Sequence, residues 1–380
     1  MEFELKEDHR IMRDMAREFA ANELAPRATR HDREERIDPD LFGMIGEMGF
    51  FGLSIPEQYG GFDAGALSLA IVLEELNHAC ASTGVTVSVH ASLVCTPLVK
   101  FGTEEQKAYW LPKLATGEVI GAYSLTEAGA GSDAAALSST AVRDGDEWVL
   151  NGTKLFVTTG EQAGLVIGYF RTDPEAPKAR GISAFLVDAK TPGYKVGKKE
   201  KKTGLRGSST TELIFENCRV PADALLGEVD RGFQIAMDTL DGGRIGIAAQ
   251  SLGIGRACLE ASLKYSRERE QFGKPIGRFQ AVQWKLADMA TRLDAARLLT
   301  HRAAWLRDRG EPCGMQAAQA KLAASTTANF CADECLQIHG GAGYTDDFHV
   351  ERLFRDARIT EIYEGATDIQ RLVIARHLLK

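Results

Sequence analysis

The order of helical and strand-like patterns constrains the fold of this chain more than any other feature of its sequence. Up to about residue 118, apolar residues recur at helical spacing, as Ile11, Met15 and Phe19 do. From about residue 119 to 228, short β-rich runs alternate with turns, and from about residue 230 the helical patterns return. This order is not the βαβ alternation of a Rossmann fold, and no strand–GxGxxG–helix unit occurs. The pattern therefore predicts an α+β protein in which helices flank a block of strands.

Local signals predict several individual elements within this order. Thr103 and Gln106 have the spacing of a capping box, which predicts a helix start, and Pro26 predicts the end of the first helix. Asn151 and Gly152 stand between two β-rich runs, and this dipeptide is typical of a tight hairpin. Further strands are predicted at residues 165–170, 182–187 and 212–215, and a long amphipathic helix at residues 279–307.

Composition narrows the classes of function. With 380 residues, of which 44% are hydrophobic and 26% charged, the chain can bury a large core. A net charge of -8 argues against nucleic acid as the main partner. No apolar run reaches the ~18 residues that span a bilayer, and the first residues do not resemble a signal peptide. Seven cysteines, an odd number on apolar segments, indicate reduced thiols, so we expect a cytoplasmic protein without membrane insertion.

One cysteine–histidine cluster requires a choice between a metal site and a core. Cys331, Cys335 and His339 are spaced at i, i+4 and i+8, so a helix would align them on one face. Their neighbours Phe330 and Ile338 are typical of a core, and cysteine is a common buried residue. The pattern therefore favours core packing over three metal ligands, and no metal is expected.

A carboxylate near the end of the chain is the strongest candidate for chemistry. Glu364 follows Tyr363 and precedes Gly365 at the predicted start of the last helix, and apolar residues continue beyond it. In an apolar cleft its charged form would be poorly solvated, so its pKa would rise and it could act as a base near neutral pH. The alternative is a solvated acidic residue at the positive end of a helix dipole.

Other segments offer groups that suit a large anionic ligand, although each also suits an ordinary turn. Tyr123 offers a flat ring, and Ser132 lies in a Gly-rich loop where a ligand can approach the backbone. Arg269 suits a pyrophosphate, while Arg244, which follows Asp241, could meet an anion. Residues 337–343 end a helix in glycines, which is a standard stop signal and also exposes backbone to a cofactor.

Taken together, these segments resemble the acyl-CoA dehydrogenase family over nearly the whole chain, with the closest likeness to its short-chain, butyryl-type members. The matching motifs occupy residues 56–61, 123–127, 131–133, 151–154, 269–273, 337–341, 355–358 and 363–365. Several ordered motifs at the right separations make the resemblance specific.

The resemblance implies a fold and a set of partners. It implies an N-terminal helical domain (1–118), a central β-barrel or sandwich domain (119–229) and a C-terminal four-helix bundle (230–380). It further implies FAD between the β domain and the C-terminal helices, an acyl-CoA substrate, an electron-transferring flavoprotein as electron acceptor, and a homotetramer. Glu364 would remove the α-proton of a thioester while the β-hydrogen leaves as hydride to flavin N5, giving a trans-2-enoyl-CoA. The backbone N–H of the same glutamate would polarise the thioester carbonyl.

The same resemblance assigns the binding residues. Tyr123, Leu125, Thr126, Phe156 and Thr158 would line the flavin ring, and Ser132 would face the flavin phosphates or the CoA chain. Arg269, Gln271, Gln280, Gln337, Gly340 and Gly341 would hold the adenine end of a FAD in a neighbouring subunit, and Ala366 and Asp368 would also contact FAD. Asp241 and Arg244 would meet the CoA part of the substrate, and Gly365 the thioester.

Two departures from the family pattern bear on the cofactor, and two further positions bear on the substrate. Phe156 replaces a tryptophan common at the flavin face, and Ala366 with Thr367 replaces the usual Thr-Ser pair, which removes or moves a hydroxyl contact to FAD.

Isovaleryl and long-chain members place the base where this chain has Gly243, so the base here should be Glu364. Glutaryl-type members need an arginine in the segment matching residues 79–97, which holds no Lys or Arg. A straight or lightly branched acyl group, butyryl to hexanoyl, is therefore expected.

Four other functions occur or are conceivable on this scaffold. A nitroalkane-oxidising relative would be expected to carry aspartate at the base position, where this chain has Glu364. A dehydrogenase for a branched or medium-chain acyl-CoA would share every motif. A catalytically silent FAD- and acyl-CoA-binding subunit would not need Glu364. An acyl-CoA oxidase would pass electrons to oxygen, but oxidases are usually much longer.

Overall fold

The N-terminal third of the chain is helical, as the sequence predicts. A computed structural model describes residues 4–379, so the first three residues of the segment assessed for a signal peptide lie outside the described residues. Its helices are α1 (Glu7–Phe19), α2 (Ala25–Glu34), α3 (Asp40–Glu47), α4 (Gly65–Ala79), α5 (Ala81–Ser88), α6 (Thr96–Phe101) and α7 (Glu104–Ala115).

One helix boundary in this region is confirmed and another is wrong. Thr103 accepts a hydrogen bond from the Gln106 backbone N–H at 3.2 Å, and the Gln106 side chain accepts one from the Thr103 N–H at 3.0 Å, so the capping box starts α7. Pro26 does not end the first helix, because a π-helical turn (Ala20–Leu24) joins α1 to α2. Pro26 lies in the first turn of α2, directly after the π-helical turn, so the helical segment continues through the proline.

The stretch Ala81–Phe101 corrects the expectation about apolar runs. It forms one helical segment of 21 residues that is long and apolar enough to cross a membrane. Ser, Thr and His residues interrupt this stretch, so it does not stand out in the sequence as an unbroken apolar run. In the structure 78% of its apolar window is buried against other helices, as expected for the core helix of a globular protein.

The middle of the chain forms one sheet. Its strands are β1 (Ile120–Ser124), β2 (Thr140–Asp144), β3 (Glu147–Thr158), β4 (Ala163–Arg171), β5 (Ile182–Asp188), β6 (Tyr194–Lys199), β7 (Thr210–Pro221) and β8 (Leu225–Leu226). They hydrogen-bond in the order β6-β7-β3-β2-β4-β5-β8, and β1 pairs in parallel with β4. The strands predicted at residues 165–170, 182–187 and 212–215 are confirmed.

The hairpin predicted at Asn151-Gly152 is wrong. β3 runs straight through both residues, and the turn between β2 and β3 lies instead at Gly145, with φ +62°. The pairing of β3 with β7 shifts between Leu150 and Gly152, and Gly152 has φ +143°. A side chain there would also clash with Ser139, since a Cβ would lie 2.1 Å from its Oγ. The dipeptide therefore marks an irregularity in the strand, where glycine is needed as much as in a turn.

Long helices return in the last third of the chain. They are α8 (Gly232–Glu268), α9 (Gln280–Asp308) and α10 (Gly314–His339), followed by α11 (Val350–Arg358) and α12 (Thr367–Leu378), with a short hairpin of β9 (Glu270–Gln271) and β10 (Lys274–Pro275) after α8. Small residues let α8 approach its neighbours closely. A Cβ on Gly253 would lie 2.5 Å from the Glu74 carbonyl oxygen of α4.

Buried ionic contacts tie the three parts of the chain together next to the last segment. Arg355 on α11 donates to the Asp32 carboxylate on α2 at 2.7 and 2.9 Å, and to the Thr203 carbonyl at 3.1 Å. Asp356 is buried and accepts a hydrogen bond from the Leu205 N–H at 2.6 Å. These contacts fix α11, and so they fix the start of the segment that carries Glu364.

Candidate active site

Glu364 lies in a strained turn rather than in a helix. α12 begins three residues later, at Thr367, and a short 3₁₀ turn (Ile359–Glu361) precedes it. Glu364 has φ +53° and Gly365 has φ +89°, both in the left-handed region that side chains disfavour. A non-glycine residue held in this conformation has been associated with functional sites. The alternative of a solvated helix-start residue does not fit this geometry.

Glu364 is half-buried, and one oxygen of its carboxylate is withdrawn from solvent and lacks a partner. Glu364 Oε2 makes no hydrogen bond and has almost no contact with solvent. Burial raises the pKa of Glu364 to about 7, although the charges of Lys321 and Arg244 act to lower it. A carboxyl group with this pKa is partly ionised at neutral pH and can accept a proton.

Helix α8 forms one wall of the site because it has a glycine opposite the carboxylate. A Cβ on Gly243 would lie 2.6 Å from Glu364 Oε2 and 2.8 Å from Leu93 Cδ2. Gly243 therefore leaves the space that the Glu364 side chain occupies. The next residue, Arg244, is buried and pairs with Asp241 at 2.5 Å, while its Nε has no partner.

A second wall comes from the sheet. Burial, Tyr169 and Glu364 all raise the pKa of the Tyr123 phenol well above its ordinary value, so β1 lies next to the carboxylate. The Tyr123 and Tyr169 rings pack at 5.2 Å between centroids, and the Tyr123 hydroxyl has no hydrogen-bond partner. Leu125 is buried, and Thr126 accepts a hydrogen bond through its carbonyl from the Leu155 N–H at 2.8 Å.

Phe156 marks a surface that suits a flat aromatic group. Its ring is 62% exposed although it lies in β3, and its backbone has φ +56°. An exposed aromatic ring held in a left-handed conformation is costly for a free surface, and stacking against a planar ring would cover it. Thr158, two residues further along β3, is half-buried.

A buried ion pair supports this second wall, and sequence reasoning assigned it no role. Lys154 Nζ contacts Glu127 Oε1 at 2.7 Å, and the side chains are only 0% and 6% exposed. Glu127 also accepts hydrogen bonds from the Ser138 and Ser139 N–H groups at 2.6 and 3.0 Å. Lys154 occupies an inward-facing position of β3, where alternation predicts an apolar residue. This break in the alternation of apolar and polar residues along β3 is the sequence feature that could have indicated a buried lysine.

The remaining predicted binding residues lie on the surface of this chain. Within residues 4–379, none of them hydrogen-bonds to Glu364, Tyr123 or Phe156. Their exposed members are Ser132, Arg269, Gln271, Gln280, Gln337, Gly340, Gly341 and Asp368, whereas Ala366 and Gly365 are half-buried beside Glu364. The stacked rings of Tyr265 and His339, 4.2 Å apart, bring the end of α8 near the end of α10, so the segments of Arg269 and Gln337 lie at the same end of the bundle.

The cysteine–histidine cluster packs as core. Cys331 and Cys335 are buried on α10, and His339 Nδ1 lies 2.8 Å from the Cys335 carbonyl oxygen. The residues described, 4–379, contain no group of three or more His, Cys, Asp or Glu side chains that could hold a metal. All seven cysteines are buried and free.

Comparisons with known proteins agree with this geometry. Family models described as the acyl-CoA dehydrogenase N-terminal, middle and C-terminal domains match residues 6–118, 122–218 and 230–379. The short-chain specific acyl-CoA dehydrogenase of Mus musculus mitochondria is 49% identical over 99% of this chain and 91% of its own length.

Two solved structures have nearly the same fold. The butyryl-CoA dehydrogenase of Megasphaera elsdenii is 41% identical with a TM-score of 0.98, and the alignment covers 100% of both chains. A chain from work on the electron transferring flavoprotein of Acidaminococcus fermentans and flavin-based electron bifurcation is 47% identical, also with a TM-score of 0.98 and full coverage of both chains.

The chain therefore belongs to the acyl-CoA dehydrogenase family. It has the three-part fold of that family, it is an oxidoreductase, and its cofactor is FAD. The residues present fit such a cofactor, because the exposed Phe156 offers a face for stacking against a planar ring and the Tyr123 hydroxyl and Glu364 Oε2 have no partner within the chain.

Proposed function

We propose that this protein dehydrogenates a short-chain acyl-CoA thioester to a trans-2-enoyl-CoA, with Glu364 as the base. The observation that carries the proposal is the side chain of Glu364, held in a left-handed turn with its Oε2 withdrawn from solvent and without a partner, where burial raises its pKa to about 7. Abstraction of an α-proton needs such a base close to the pH at which the enzyme works.

Individual residues of the chain have separate roles in catalysis and in substrate binding. Glu364 accepts the α-proton at its carboxylate, and its backbone N–H polarises the thioester carbonyl as negative charge develops there. Arg244 and Asp241 hold the CoA part of the substrate, and Gly365 leaves room for the thioester. Closure of the site between α8 and β1 excludes water from the base. FAD, when bound, supplies the hydride acceptor for the β-hydrogen.

The residues that hold FAD are also part of the proposal. Tyr123, Leu125, Thr126, Phe156 and Thr158 line the flavin ring, and Ser132 lies by the flavin phosphates or the CoA chain. The adenine end is held in a neighbouring subunit by Arg269, Gln271, Gln280, Gln337, Gly340 and Gly341, and Ala366 and Asp368 add contacts. The exposure of the residues assigned to the adenine end supports a role between subunits.

The rate of flavin bleaching should depend on pH through Glu364. Only the ionised base accepts a proton, so the bimolecular rate of anaerobic bleaching should rise with pH and level off above an apparent pKa of about 7. Stopped-flow mixing with butyryl-CoA between pH 5.5 and 9 measures this profile. A rate that is already at its plateau at pH 5.5 would contradict the assignment of Glu364.

The Gly243→Ala variant should crowd the base. Because the new methyl group would lie 2.6 Å from Glu364 Oε2, the carboxylate must shift, and we expect the bleaching rate to fall by about tenfold to a hundredfold. Gly43→Ala is the matched control, because Gly43 lies in helix α3 with nothing within 4 Å of the added Cβ. Equal rates in both variants and in the wild type would show that Gly243 does not face a working base.

The length of the acyl group can be ranked directly. We propose a butyryl to hexanoyl group, in line with the 49% identity to a short-chain specific relative. Anaerobic bleaching with butyryl-, octanoyl-, palmitoyl-, isobutyryl- and glutaryl-CoA should be fastest with butyryl-CoA. Preference for octanoyl- or isobutyryl-CoA would make the protein a medium-chain or branched-chain dehydrogenase.

We also propose an electron-transferring flavoprotein as electron acceptor, a homotetramer as the assembly and the cytoplasm as the location. The likeness to a structure studied with an electron transferring flavoprotein supports the acceptor. The exposed Phe272 and Tyr344 rings, at 92% and 83%, support a further covering subunit. The seven free, buried cysteines support a reducing compartment.

A further inference from the structure

A buried lysine lies behind the strained turn that carries Glu364. Lys321 is on α10 and is fully buried, with 0% of the residue exposed. Lysine is almost never fully buried unless it is paired, so its position requires an explanation. Its ammonium group donates a hydrogen bond to the Gly365 carbonyl at 2.8 Å. No salt bridge to Lys321 occurs within residues 4–379, so within this part of the chain its ammonium group is paired with the Gly365 carbonyl oxygen.

A glutamine completes the support of the same turn. Gln370 is fully buried on α12, and its Nε2 donates to the Gly365 carbonyl at 2.7 Å and to the Glu364 carbonyl at 3.1 Å. Two buried side chains thus hold two successive carbonyls of a turn whose residues both have positive φ. Left-handed backbone at a non-glycine residue costs about 1–3 kcal/mol and persists only where its surroundings hold it. Lys321 and Gln370 stabilise the turn in this conformation.

The charge of Lys321 also acts on the carboxylate. Among the groups that face Glu364, Lys321 on α10 and Arg244 on α8 lower the pKa of Glu364, with Lys321 the larger effect, while burial raises it. The phenols of Tyr123 on β1 and of Tyr363 are the other titratable neighbours. Burial lowers the pKa of Lys321 to about 8, against the raising effects of Glu364 and Glu361. Lys321 and Glu364 therefore influence each other's ionisation.

We propose that Lys321 is a positioning residue for the base: its ammonium group holds the Glu364–Gly365 turn through the Gly365 carbonyl and places a positive charge beside the turn that carries the carboxylate. This inference rests on the proposed role of Glu364. It adds a residue, on a different helix, that acts through Gly365 and through its charge.

The test is the pH dependence of anaerobic bleaching by butyryl-CoA in Lys321→Met. Removing the cation removes the largest influence that favours the ionised base. The low-pH part of the profile, where the rate rises with pH (the acid limb), should therefore move to higher pH by about one unit. Below the limb the rate should therefore fall about tenfold relative to the wild type. Lys321→Arg keeps a cation and should leave the limb within a few tenths of a unit. Gln370→Met removes the other donor but no charge, so it should lower the plateau without moving the limb.

Lys202→Met is the matched control. Lys202 also has its pKa lowered by burial and also donates to a backbone carbonyl, that of Ser208 at 2.7 Å, but its charged neighbours are Lys199, Arg206, Glu35 and Asp356 rather than Glu364. This variant should keep the wild-type acid limb. Thermal unfolding of each variant reports whether it has folded.

A second measurement does not depend on turnover. In protein labelled with carbon-13 at the glutamate carboxyl group, the signal missing from Glu364→Gln identifies Glu364, and its titration should shift upward in Lys321→Met. An unchanged limb and an unchanged titration in Lys321→Met, with a wild-type limb near pH 7, would overturn the role of Lys321 while leaving Glu364 as the base. A wild type that never bleaches would overturn both.

Discussion

Glu364→Gln is expected to bind FAD and acyl-CoA normally and to bleach its flavin roughly a thousandfold more slowly, or worse, than the wild type. Glutamine has nearly the same shape as glutamate, so it should fit the space that Gly243 leaves. The backbone N–H of residue 364 also remains, so carbonyl polarisation should survive. What is lost is the carboxylate that we propose accepts the α-proton. Stopped-flow bleaching measures the rate, and a binding titration with butyryl-CoA measures the affinity.

Glu361→Gln is the matched control for that prediction. It changes the same residue type three positions earlier, where Glu361 pairs with Arg358 near the surface. Its bleaching rate should stay within a few fold of the wild type. If Glu364→Gln keeps near-normal turnover, another group is the base and the proposed mechanism is wrong. If both variants lose activity, the effect comes from the whole segment and not from Glu364.

Lys154→Met is expected to lower the free energy of unfolding by about 3–5 kcal/mol. The substitution removes the partner of Glu127 while leaving its carboxylate, 6% exposed, inside the sheet. Lys154 also lies 3.5 Å from the Leu125 carbonyl, and Glu127 follows Thr126 directly, so the variant should also lose FAD on dilution. Urea unfolding of the holoprotein measures the first effect, and the ratio of flavin to protein absorbance measures the second.

A surface pair in the same domain supplies the control. Lys195 and Glu216 are also 2.7 Å apart, but both side chains are 61% exposed. Lys195→Met should therefore cost less than about 1 kcal/mol. The double variant Glu127→Gln with Lys154→Met should recover part of the stability that Lys154→Met loses, because the buried charge is gone. A cost for Lys154→Met no larger than that for Lys195→Met would contradict the structural role of the pair.

Element type was predictable where the apolar pattern was long or strongly periodic. The helix predicted at residues 279–307 is α9, and three predicted strands are β4, β5 and β7. The errors came from local signals that have more than one structural use. Gly152 serves a strand irregularity and not a hairpin, and Pro26 lies in the first turn of a following helix. The domain boundaries at residues 118/119 and 229/230 stay a prediction.

The candidate base was visible in the sequence, but the residues that support it were not. Glu364 is a candidate from its place between Tyr363 and Gly365 and from the resemblance of its motif to that of a known family, and the structure adds a left-handed turn that no propensity predicts for glutamate. Lys321 and Lys154 were assigned no role, since lysine is normally a surface residue and the sequence does not show which lysines are buried. Gln370 lies six residues beyond Glu364, yet it reaches back to the Glu364 carbonyl only because the chain turns there.

Anaerobic mixing of the flavin-loaded protein with butyryl-CoA tests the central claim most directly. The yellow spectrum of the oxidised flavin should bleach rapidly, the product should be the trans-2-enoyl-CoA, and Glu364→Gln should show neither change on the same timescale. A flavin that stays yellow with butyryl-CoA and with every other acyl-CoA in the series would contradict a dehydrogenase and indicate a silent binding subunit.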